Sequence, residues 1–119
     1  MTLQECYTAL GGDYEDVLGR LRSERLVQKF VLKFLDDTNL DLLCRSLSEG
    51  NCEEAFRAAH TIKGMCLNLG FTRLAESSSQ MTEALRAGDL DEGRALLEGV
   101  RADYDRAVDA IRAFQAGCP

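Results

Sequence analysis

At 119 residues the chain fits one domain with one core, and its 45% hydrophobic and 29% charged content is ordinary for a soluble globular protein. A net charge of -6 argues against nucleic acid, which needs a basic patch. No signal peptide opens the chain, and no apolar run approaches the roughly 20 residues that a membrane span takes.

Taken in chain order, the sequence predicts helix after helix. Thr2 can cap a short helix to about Leu10, stopped by Gly11-Gly12, and Asp13 can cap a second through Leu21. Ser23 can cap a longer segment, with Leu26, Val27, Phe30, Val31, Phe34 and Leu35 at helical spacing. Asp36-Asp37-Thr38 reads as an interruption or turn; Leu40, Leu43, Cys44 and Leu47 then resume the period, and Gly50 ends it. Asn51, with Glu54 three residues on, starts a helix to Leu69 with Gly70 as its C-cap. Thr72 is expected to cap the next helix, ending near Ala87-Gly88, and Asp89 with Glu92 starts the last, to about Phe114.

The only proline is the last residue, so nothing breaks these helices from within. Short connections and glycine punctuation predict an all-α fold: an antiparallel four-helix bundle with a short N-terminal helical extension. The bundle helices are expected at 24–48 (with the interruption), 52–69, 72–87 and 90–114. The N-terminal pieces are expected to pack as a lid or extension on the bundle end.

Five cysteines, Cys6, Cys44, Cys52, Cys66 and Cys118, are widely spaced, with no C-x-x-C pair. An odd, scattered set suits free thiols in a reducing cytoplasm and neither a disulfide framework nor a zinc site. A single histidine and scattered carboxylates likewise offer no metal ligand set.

That histidine, His60, lies on the 52–69 helix. At about 100° per residue, Ala55, Ala58, Ile62, Met65 and Leu69 gather on one side as the core stripe, with Ala59 and Cys66 at its edge. His60 falls almost opposite and is expected to be exposed. Glu53, Arg57, Lys63 and Gly64 surround it, as do Phe56 and Leu67, which are out of place on a solvent face. Such an apolar pair beside a histidine suggests a docking surface, although both could instead cover the N-terminal segment. No carboxylate, Ser or Cys is spaced to form a catalytic dyad with His60.

The run Ala59-His60-Thr61-Ile62-Lys63-Gly64, closed by Leu69-Gly70, resembles the phosphoacceptor helix of histidine-containing phosphotransfer (HPt) domains, with Ile62 where Leu is usual. Phe34-Leu35 before an acidic turn, Gly70 to Ala75, and Ala87-Gly88-Asp89-Leu90 extend the resemblance over about residues 24 to 114. It implies one HPt-like domain over 1–119, with an extension at 1–23 and a four-helix bundle at 24–114. It also implies a carrier of phosphohistidine in a two-component phosphorelay, with no kinase activity of its own.

Carried over residue by residue, the resemblance makes His60 the phosphoacceptor, Lys63 its charge partner and Gly64 the small neighbour that gives access. Phe56, Arg57 and Leu67 become the receiver-docking patch. Many members orient the imidazole with a Gln on the following helix; here the matching position is Thr82, with Gln80 nearby. No cofactor is expected on the chain, and the Mg²⁺ is expected on the partner. Implied partners are a response-regulator receiver domain and/or a hybrid histidine kinase, with no nucleic acid and no membrane. Two other readings remain: a helical interaction or scaffold module with His60 not phosphorylated, and an HPt domain cut from a larger sensor kinase. The starting Met and the short tail after the last helix favour a complete small protein.

Overall fold

The computed structural model describes residues 1–117; Cys118, expected as a free thiol, lies outside them. Among the described residues there are seven α-helices, one 3-10 turn and no strand. They are α1 (Leu3–Leu10), α2 (Tyr14–Leu21), α3 (Glu24–Lys33), a 3-10 turn at Phe34–Asp36, α4 (Asn39–Glu49), α5 (Cys52–Leu69), α6 (Thr72–Arg86) and α7 (Leu90–Ala116). The fold is an all-α antiparallel bundle. α4 packs on α5, α5 on α6 and α6 on α7, and α7 returns to α4.

Local chemistry sets most of the boundaries. Thr2 forms a full capping box with Glu5. The side chains of Asp13, Ser23, Asn51 and Asp89 each accept the backbone N–H three residues on. Thr72 does not cap α6. It is the first helical residue, Phe71 stands at the cap with no side-chain cap bond, and the Phe71 ring is fully buried. Burial of that ring fixes the α5–α6 junction in place of a hydroxyl.

Gly70 makes the junction possible. It has φ +72°, and a Cβ there would lie 2.8 Å from the Asp13 carbonyl oxygen. Asp13 N–H donates to Gly70 O at 2.7 Å, and Arg73 N–H donates to Gly11 O at 3.0 Å. The Tyr7 hydroxyl donates to Leu69 O at 2.6 Å. α1 packs along α7, and Leu3, Cys6, Tyr7 and Leu10 are buried in the common core. The N-terminal helices are thus tied to the bundle by backbone bonds and shared core, which is more than a lid would make.

The first long helix is broken where the acidic run stands. Asp37 accepts the Asn39 N–H and side-chain amide, and the Tyr104 hydroxyl donates to it at 2.7 Å. Bonds to a carboxylate at that point end one helix and start the next.

The core is aliphatic with a small aromatic cluster in which Tyr7, Phe34, Phe71 and Tyr104 pack edge-on or tilted. Burial pushes the Cys6 thiol up to about 11 and raises those of Cys66 and Cys44. The four described cysteines are free. Among the described residues no helix is long and apolar enough to cross a membrane.

Candidate functional site

α5 supplies the site. Asn51 caps it, Gly70 ends it, and eighteen residues between give an unbroken rod against α4 and α6. Its inner stripe is Ala55, Ala58, Ala59, Ile62, Cys66 and Leu69, all buried. Met65, expected in that stripe, is only half-buried, and it lines a groove with Leu21, Phe30 and Phe34. The stripe drifts toward Cys66 because α4 and α6 flank α5 there, while α3 touches it more lightly.

His60 is exposed in the middle of the rod. Phe56, one turn earlier, is half-buried and packs at the core edge. Its ring lies nearly parallel to the imidazole, at 5° between planes and 5.7 Å between centroids. The Arg86 guanidinium, from the last turn of α6, lies 5.1 Å from the Phe56 ring centroid. Three side chains from two helices therefore meet at the Phe56 ring, which contacts both the imidazole and the guanidinium.

One turn beyond His60, Gly64 is exposed, and a Cβ there would meet nothing within 4 Å. The chain's own packing does not require a glycine there, and mid-helix glycine costs about 1 kcal/mol relative to alanine. Lys63 is half-buried and makes no ion pair among the described residues. Arg57 is exposed and engaged by Glu53 at 3.4 Å and Glu54 at 2.9 Å. Lys63 is thus the less committed of these two cations.

Leu67 is 56% exposed. The N-terminal segment does not cover it: Arg20 of α2 donates to the Leu67 and Asn68 carbonyls at 2.9 and 2.7 Å, reaching the backbone and leaving the side chain bare. Lys63, Leu67 and Gln80 line one cleft between α5 and α6.

The two residues considered for orienting the ring do not bond to it. Thr82 is fully buried, and its hydroxyl donates to Ser78 O at 2.7 Å, so its proton is spent on its own helix. Gln80 is exposed on the cleft wall and makes no hydrogen bond to His60 among the described residues. Phe56 contacts the imidazole face instead.

Arg86 was not singled out in the sequence, but a signal for it exists. In an antiparallel pair turning at Phe71, residues equally distant from the turn are level with each other. Phe56 and Arg86 satisfy that condition, as do His60 and Thr82.

Chemically, the arrangement offers an accessible nucleophilic imidazole, a cation one turn on, and open space for another molecule's backbone. Among the described residues no group of three or more His, Cys, Asp or Glu could hold a metal ion.

No curated protein and no solved structure gives a significant match to the chain. The family model described as "Hpt domain" matches residues 25–113, which is α3 through most of α7 and contains His60, Lys63 and Gly64. With that match spanning most of its length, and with a helical bundle presenting one exposed histidine, the chain belongs to the Hpt domain family.

Proposed function

We propose that this protein carries a phosphoryl group on His60 between the aspartates of receiver domains. Hpt domains as a family are phosphocarrier modules of phosphorelays that work with receiver domains and kinases. The observation that carries the reading is the chain's sole imidazole, exposed in mid-helix beside a glycine with open space and a lysine with no described ion-pair partner.

The neutral imidazole attacks the phosphorus of a receiver's aspartyl phosphate, through Nε2 in this reading. The N–P bond forms as the P–O bond breaks, and the electron pair leaves on the aspartate oxygen. Return to a second receiver reverses the step, with a carboxylate as nucleophile and the imidazole as leaving group. Lys63 balances the charge of the bound phosphoryl group without acting as a base. Gly64 lets the receiver's backbone approach, and Phe56, Arg57 and Leu67 supply contact area at the docking face. The chain has no kinase activity of its own in this scheme. The Mg²⁺ that screens the phosphate belongs to the receiver, and the relay operates in the cytoplasm.

The test is transfer from a panel of phosphorylated receiver domains to the pure protein. Label that is acid-labile, base-stable and lost in His60→Gln, with helicity unchanged, is the expected result. Acid-labile label retained by that variant would sink the proposal, and binding without label in the wild type would favour a scaffold.

A further inference from the structure

We propose that Phe56 is a positioning residue for the imidazole of His60 and that Arg86 holds Phe56 in place. The inference rests on the carrier reading above and deepens it.

A phosphoryl acceptor must present a ring nitrogen lone pair in line with the breaking P–O bond, so the ring's rotation about its side-chain bonds matters. An exposed imidazole on a helix is otherwise free to sample rotamers. A hydrogen bond to the second ring nitrogen would fix it, yet Thr82 spends its proton on Ser78 O, and Gln80 stands on the cleft wall. The geometry offers a different restraint. Phe56 is one turn before His60, half-buried at the core edge and held on its own side by packing. Its face lies parallel to the imidazole within 5° at 5.7 Å, the offset arrangement that aromatic pairs prefer.

Arg86 reaches the same phenyl ring from the neighbouring helix. Its guanidinium sits 5.1 Å from the phenyl centroid and is itself steadied by Glu83 at 3.4 Å. A cation held against the ring limits how far Phe56 can turn. The stack links α5 to α6, so ring orientation is coupled to helix packing and not to one side chain alone.

His60 is the only histidine, so the imidazole ring protons in a carbon-correlated NMR spectrum belong to it alone. In the unphosphorylated protein, stacking on Phe56 displaces those resonances by ring current. Phe56→Leu should return them toward the positions of an unstacked histidine, and Phe56→Tyr should keep them displaced. In transfer kinetics, Phe56→Leu should lower the rate at saturating receiver by about two- to tenfold, the range that an aromatic pair supports. That loss at saturation is separate from any change in the receiver concentration at half-saturation, which reads the contact area Phe56 gives the docking face, and Phe56→Tyr should restore the rate. Arg86→Gln, at an exposed site that does not threaten the fold, should lower the same saturating rate by less.

Unchanged ring-proton positions in Phe56→Leu overturn the stack whatever the kinetics show. A changed half-saturation with an unchanged saturating rate overturns positioning and makes Phe56 a docking contact only. A wild-type chain that takes no phosphate on His60 overturns the carrier reading separately, because the ring-current measurement does not depend on phosphate.

Discussion

Gly64 shows how a single residue can point outside its own fold. It sits in mid-helix, exposed, with open space where a Cβ would go, so alanine fits and removes the backbone-entropy cost of glycine. Gly64→Ala should therefore stabilise the protein by about 0.5–1 kcal/mol, read as a higher denaturant midpoint at unchanged slope. Gly64→Gln should keep the helix and yet slow receiver transfer, because the longer side chain fills the space a partner's backbone needs. Transfer at the wild-type rate in that variant would mean that the glycine is not there for access. At this scale the sequence was informative about position and less so about contact. Helical spacing put His60, Lys63, Gly64 and Phe56 on one solvent-facing side, where the structure exposes His60 and Gly64 and leaves Phe56 and Lys63 half-buried. Spacing could not show that the Phe56 and His60 rings are parallel, since that depends on rotamers. Nor could it show that Thr82 turns its hydroxyl back to Ser78 O, since a buried hydroxyl takes the nearest carbonyl when no water reaches it.

At the scale of elements, caps were legible because they are local chemistry. Thr2, Asp13, Ser23, Asn51 and Asp89 accept the N–H bonds that their spacing predicts. Thr72 was misread because a tertiary contact, the burial of Phe71, outweighs a hydroxyl at that junction. The long-range ties were not legible at all, since nothing near Tyr7 in sequence reveals Leu69 as its acceptor. That tie has a measurable weight. The Tyr7 hydroxyl is buried and donates to a carbonyl in the last turn of α5, one of the acceptors that a helix end leaves without an intrahelical partner. Tyr7→Phe keeps the ring and its edge-on contact with Phe71 and deletes only the donor. It should cost about 1–3 kcal/mol in chemical denaturation, the penalty for stranding a buried acceptor. A change within error would mean that water replaces the hydroxyl and that the α1–α5 tie is not a structural bond.

For the whole molecule, the family match and the folded unit have different extents. The match begins at residue 25, after α1 and α2. The core does not begin there, because Leu3, Cys6, Tyr7, Leu10 and Val17 are each 2% exposed or less. Burying one such apolar side chain contributes about 1.5–3 kcal/mol, so together the five contribute on the order of 10 kcal/mol. A domain of this size has a total stability of about 5–15 kcal/mol. Two backbone bonds, Asp13 to Gly70 and Arg73 to Gly11, and the Arg20 bonds to the end of α5 would be lost with those side chains. The ends of α5 and α6 nearest the junction would then face water with their apolar sides bare, and α7 would lose the partner that covers it along α1. A chain starting at Glu24 should therefore not fold cooperatively at 25 °C. It should show reduced helicity, a broad or absent denaturant transition, and poor dispersion of amide resonances. If that shortened chain instead unfolds in one sharp transition close to that of the full protein, α1 and α2 are an attached cover, and residues 24 to 117 are sufficient for the fold.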